Sequence, residues 1–144
     1  MSATAKKTVN RAKIQIDEGY KKFCKAFGKN TSWCQIFLWW LLALKGDIKY
    51  PKDSYARHAE KWCAKHWKKI SMKDARAGDV VFFTKNGTRV SHCGMIRKKG
   101  TSKIAYTIEG NVGTPGKWKT NIVDLRTRKR SYIKSIYRPP YSSK

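Results

Sequence analysis

The spacing of apolar residues changes period once along the chain. Between residues 9 and 27, Val9, Ala12, Ile16, Tyr20, Phe23 and Phe27 recur every three or four positions, which predicts one amphipathic helix despite the interior Gly19. Residues 28–30 interrupt it. The run Thr31-Ser32-Trp33-Cys34-Gln35 then contains Ser-x-x-Gln, a capping box with Ser32 as N-cap and Gln35 three residues on. Residues 33–44 are apolar almost all the way round, so this helix belongs in the interior of a domain. After a turn over residues 45–51, residues 54–70 place Tyr55, Ala59, Trp62, His66 and Ile70 on one side of a further helix.

Beyond Ala77-Gly78-Asp79 the period becomes that of strands. Residues 80–83 predict a short buried strand, and Asn86-Gly87 marks a hairpin. Residues 91–97, 103–109, 121–128 and 132–137 supply further strands, the last stopped by Pro139-Pro140. Helices first and antiparallel strands afterwards predict an α+β fold, with N-terminal helices packed on a sheet of five or six strands.

Size permits this fold without staples. The 144 residues fit a single domain with a core over residues 9–141, and a domain of that size buries roughly two thirds of its unfolded surface. Cys24, Cys34, Cys63 and Cys93 show neither CxxC pairs nor a disulfide framework. No secretory leader is evident at the N-terminus, and the longest apolar run, residues 36–44, is about half a membrane span. These features predict synthesis and folding in a reducing cytoplasm, no transmembrane segment and a monomer. Cys63-x-x-His66 lacks the second pair of ligands that a zinc site needs, so neither a metal nor another cofactor is expected.

Charge narrows the partner. Thirty-three Lys and Arg against nine Asp and Glu give a net charge of +24, which favours a polyanion: nucleic acid, an anionic membrane or the bacterial wall. No zinc-finger, KH or RRM signature accompanies the charge, and it is not gathered on one element. A nucleic-acid-binding protein without catalysis is therefore the alternative from a different class.

The chemistry points to an enzyme. Cys34 falls in the first turn of the central helix, where unpaired N–H groups and the helix dipole favour a thiolate and could hold an oxyanion. His92 opens the strand His92-Cys93-Gly94-Met95-Ile96. Strand alternation separates it from Cys93, a core residue on this reading, and places Gly94 on its own face, leaving room beside the imidazole. Glu109 and Asn111 share a face on the next strand, and either could accept a proton from the far nitrogen of His92. A cysteine at a helix start, a later strand histidine and an acid/amide pair follow the chain order of papain-like hydrolases.

Trp33-Cys34-x-x-Phe37 with Trp39-Trp40, Gly78-Asp79-Val80-Val81-Phe82-Phe83, Ser91-His92-x-Gly94-Met95-Ile96 and Ile108-Glu109-Gly110-Asn111 together resemble the CHAP domain, the cysteine, histidine-dependent amidohydrolase/peptidase family. The resemblance spans nearly the whole chain. It implies a papain-like fold and hydrolysis of a peptidoglycan amide, either N-acetylmuramoyl-L-alanine or a cross-bridge peptide. Cys34 would be the nucleophile, His92 the base, and Glu109 and Asn111 its orienting partners. Trp33 and Gln35, flanking the nucleophile, are expected to border the substrate. The calcium loop of some members has no counterpart, because residues 25–30 contain no carboxylate. A phage endolysin without a separate wall-binding domain fits best, its charge drawing it to the anionic wall. A bacterial autolysin, a phage-tail lysin and a cysteine protease acting on other amides are the remaining readings.

Overall fold

The computed structural model describes residues 3–142. Four α-helices come first: α1 (Ala5–Ile14), α2 (Tyr20–Phe27), α3 (Cys34–Trp39) and α4 (Ala56–His66). Strands β1 (Lys68–Lys69), β2 (Val80–Thr84), β3 (Val90–Lys98), β4 (Ile104–Val112), β5 (Ile122–Lys129) and β6 (Ile133–Arg138) follow. They form one six-stranded sheet in the order β1-β6-β2-β3-β4-β5, with every neighbouring pair antiparallel. The fold is α+β, as the change of period predicts.

The expected helix over residues 9–27 is two helices. Between them Asp17 adopts a left-handed φ of 76°, and the backbone leaves the helix to pair with the sheet edge. Asp17 N–H donates to the Val123 carbonyl, Val123 N–H donates to the Glu18 carbonyl, and Gly19 bridges Ile122. These partners replace the helical bonds that the apolar spacing implied. A similar tertiary capture ends α4 early: residues 68 and 69, expected in the helix, form β1 against β6.

The central helix matches its sequence pattern. All six residues of α3 are buried, and Trp40–Leu44 continue it as a wider π-helical turn. The helices cover one face of the sheet, where Phe23, Phe37, Leu41, Phe82, Met95 and Ile108 share a core. The opposite face carries a smaller cluster of Val81, Phe83, Ile96, Ala105 and Ile136, against which Met72 and Tyr132 pack. Gly78 needs both its left-handed φ of 97° and its missing side chain, since a Cβ would lie 2.8 Å from Ala5 and from the Tyr141 ring. Next to it, the Asp79 carboxylate accepts two bonds from the Arg138 guanidinium at 2.8 and 2.9 Å, tying this turn to β6.

One irregularity positions the site. Strands β3 and β4 pair at Met95↔Ile108 and beyond, but no such pairs form towards Cys93 and Gly110. The first turn of α3 packs at this opening, where a Cβ on Gly110 would come within 2.6 Å of Phe37 Cβ. Only glycine allows the helix so close to β4.

Candidate active site

Cys34 is the first residue of α3, one position earlier than the capping box predicts. The cap is Trp33, and no side chain bonds the helix start. Ser32 Oγ instead accepts a bond from Asn111 Nδ2 at 3.1 Å. Burial outweighs the capping preference here, because the Trp33 indole stacks on Phe23 and donates from Nε1 to the Trp118 carbonyl at 2.8 Å.

The two flanking residues expected at the substrate lie elsewhere. Trp33 and Gln35 both have 0% exposure, so neither offers the substrate a surface. Gln35 Oε1 accepts from the Tyr50 hydroxyl at 2.8 Å, and its Nε2 donates to the Pro51 carbonyl at 3.3 Å. Both side chains clamp the helix start from inside. A polar amide needs such partners once it is buried.

His92 and Cys93 leave β3 on opposite faces, as alternation requires: Cys93 joins the helix-side core, while the imidazole stacks on Phe83 at 5.5 Å. Because the helix start lies in the opening beside β3, the Cys34 sulfur interacts with both residues. His92 Nε2 meets Glu109 Oε1 at 2.8 Å, which leaves Nδ1 for the sulfur. Gly94 does leave room, but for Glu109: a Cβ there would sit 2.6 Å from Glu109 Cγ.

Glu109 is wholly buried and its two oxygens are fully engaged. Oε1 also accepts from Arg128 Nη2, while Oε2 accepts from Arg128 Nε at 2.9 Å and from Thr107 Oγ1. The Arg128 guanidinium lies over the rings of Phe83 and Tyr132, at 5.2 and 4.9 Å. Asn111 is not part of this line. A bulge in β4 between Glu109 and Val112 puts Asn111 at a left-handed φ of 62° and breaks the alternation that would have aligned the two. Its side chain bridges Ser32 and Asn121, whose Nδ2 donates to Asn111 Oδ1 at 3.1 Å.

Arg128 and Thr107 were not singled out by sequence. A buried carboxylate demands a cation, but with 33 basic residues the sequence offered no means of choosing one. Pairing of β4 with β5 makes the choice, by placing Arg128 opposite Ala105, two residues from Thr107.

The electrostatics follow from these contacts. A hydrogen bond from the Cys93 thiol lowers the Cys34 pKa most, burial opposes it, and the charge of His92 lowers it further, so the thiol lies well below its ordinary value. Burial alone would lower His92, but the Cys34 charge, hydrogen bonding to Cys34 and the Glu109 carboxylate raise it to about 9. Burial would raise Glu109, yet Arg128 and then His92 hold it at about 2. These shifts favour a thiolate beside an imidazolium, with the carboxylate and the guanidinium continuing the alternation of sign.

Two clefts meet at Cys34. One of about 460 Å³ is lined by Tyr55, Arg57, Lys85, Arg89 and Val90. The other, of about 300 Å³, is lined by His92, Asn111, Thr114, Arg126 and Tyr132. An extended chain laid through both would cross the sulfur. By contrast, the Cys63-x-x-His66 pair does not converge, because Cys63 is buried in the core and the exposed His66 stacks on Trp62 at 4.4 Å.

The model of the NlpC/P60 family matches residues 26–124, a span holding Cys34, His92, Glu109 and Asn111. No curated protein matches the chain.

Proposed function

Because this chain belongs to the NlpC/P60 family, whose members are cysteine peptidases of the bacterial cell wall, we propose that it hydrolyses an amide bond of peptidoglycan with Cys34 as nucleophile. The observation that carries this reading is the buried line Cys34–His92–Glu109, set where two open clefts meet.

The thiolate attacks the amide carbonyl, and N–H groups at the uncapped start of α3 receive the developing oxyanion. His92, already protonated, gives its Nδ1 proton to the leaving amine. As a neutral base it then takes a proton from the water that releases the acyl group. Glu109 fixes the ring through Nε2 and stabilises the imidazolium, while Arg128 and Thr107 hold Glu109 in turn. Asn111 serves a different task in this scheme, securing the loop after β4 to the residue before the helix.

A CHAP-type amidase or cross-bridge endopeptidase, acting as a phage endolysin, is the finer assignment that the sequence motifs and the wall-seeking charge support. The test is turbidity loss of purified Gram-positive peptidoglycan, with mass spectrometry of the products. Wild type should lyse it and Cys34→Ala should not, while His92→Ala should lose about 100- to 10,000-fold in rate. New termini would identify the bond. Equal lysis by wild type and Cys34→Ala would sink the mechanism.

A further inference from the structure

The larger cleft beside Cys34 has an asymmetry that amide hydrolysis does not require. Arg57, Lys85 and Arg89 line it together with Tyr55, Ala56 and Val90, and no carboxylate is among its lining residues. None of the three cations forms an ion pair within the described residues. The two acids nearest Arg57 in sequence are turned to other partners: Glu60 accepts from Lys134 Nζ at 2.7 Å and Ser135 Oγ at 2.6 Å, and the Asp53 carboxylate bonds Tyr55 N–H at 2.8 Å and His58 Nδ1 at 2.9 Å.

All three side chains are exposed, and the backbone that carries Lys85 and Arg89 is fixed by hydrogen bonds within its own turn. Lys85 and Arg89 flank the turn between β2 and β3, and Asn86 Oδ1 gathers that turn from within. It accepts from Thr88 N–H at 3.0 Å, Arg89 N–H at 2.9 Å and Thr84 Oγ1 at 3.1 Å. The Thr84 hydroxyl in turn accepts from Gly87 N–H at 3.1 Å. On the facing side, the Arg57 guanidinium packs over the Tyr55 ring at 5.1 Å. Three unpaired cations around a cavity with an aliphatic and aromatic wall match an anion carried on an apolar stem. Because Cys34 lines the same cavity, that anion must sit on the chain being cut, close to the scissile amide.

We infer that this cleft is a carboxylate subsite, in which Arg57, Lys85 and Arg89 select stem-peptide residues whose carboxylate is free over those in which it is amidated. The inference rests on the hydrolase reading for its substrate. Its test uses soluble disaccharide-peptide fragments of peptidoglycan, prepared with free carboxylates and with the same carboxylates converted to amides. Wild type should cleave the free form with a kcat/KM higher by about tenfold or more, expressed mainly in KM. In the combined variant Arg57→Gln, Lys85→Gln, Arg89→Gln the preference should collapse towards unity, and in Arg89→Glu it should shrink to an intermediate value.

Binding is measured in parallel by calorimetry with Cys34→Ala, which should hold the free-carboxylate fragment more tightly than the amide. Cleavage of both fragments at equal rates, or a preference that persists in the combined variant, overturns the subsite and leaves the hydrolase reading standing. Selective binding by Cys34→Ala with no cleavage by wild type would uphold the subsite and overturn the reaction. Neither cleavage nor selective binding overturns both.

Discussion

At the scale of residues, the site is a column of alternating charge, and its pH behaviour follows from the order of that column. The acid limb of kcat/KM reflects protonation of the Cys34 thiolate, and the basic limb should fall near pH 9, where His92 loses its proton. Glu109 is one of the groups that raise His92, so Glu109→Gln should move the basic limb to lower pH and reduce kcat at least tenfold, roughly. A limb that stays near 9 in a folded Glu109→Gln protein would detach the carboxylate from the imidazole. Arg128→Met probes the next link. It removes two donors from a buried carboxylate, a change that costs about 3–5 kcal/mol when one partner of a buried pair is lost. Urea unfolding at neutral pH measures this. Since Glu109 is held at about 2 in the folded protein, its favourable contribution is complete above the ordinary carboxylate range and disappears as pH falls through about 2. The variant should therefore show its largest deficit at neutral pH, narrowing in acid as its own Glu109 takes up a proton. At this scale the meeting of Cys34 with His92 was legible, because a cysteine at a helix start and a histidine on a later strand are local signals. The choice between Glu109 and Asn111 was not. A bulge at residues 109–112 makes that choice, and two-residue alternation carries no warning of it.

At the scale of elements, the parting of β3 from β4 matters most, because it admits the start of α3. Gly110 is the contact that makes this possible, and Gly110→Ala tests it. The added methyl would meet Phe37 Cβ at 2.6 Å and the Phe37 and Trp33 rings at 2.8 and 2.9 Å. Overpacking of this kind costs about 1–3 kcal/mol. Because Phe37 lies one turn from Cys34, kcat should fall more than stability alone explains, as single-turnover kinetics on the folded variant would record. An active enzyme with an unchanged Tm would mean that the helix start tolerates displacement. Most elements were legible from period alone: the five principal strands fall within a few residues of their predicted positions, and the central helix starts one residue late. The break in the first helix and the early end of α4 were not. In both places the backbone exchanges helical bonds for bonds to a strand distant in sequence, Val123 for the first and Tyr137 for the second.

At the scale of the whole molecule, the excess of 24 positive charges acts over the Debye length, not at one contact. Lysis of intact wall should fall roughly tenfold between low salt and several tenths molar, as screening removes attraction to the anionic polymer. Cleavage of a small soluble fragment should fall less, because it depends on the cations within the cleft alone. Parallel loss for both substrates would confine the role of charge to the site.

Composition and periodicity were enough to determine an α+β chain with a basic surface, a thiol at the start of a buried helix and a histidine on a strand beyond it. Each of those properties is written within a few consecutive residues, where helix and strand periods, capping and charge act. Tertiary structure alone decided that Glu109 and not Asn111 meets His92, that Arg128 among all the basic residues neutralises Glu109, and that Trp33 and Gln35 anchor the helix from within. Those decisions depend on strand register, one bulge and the space left by single glycines. They join residues 15 to 85 positions apart, beyond the range over which local propensity carries information.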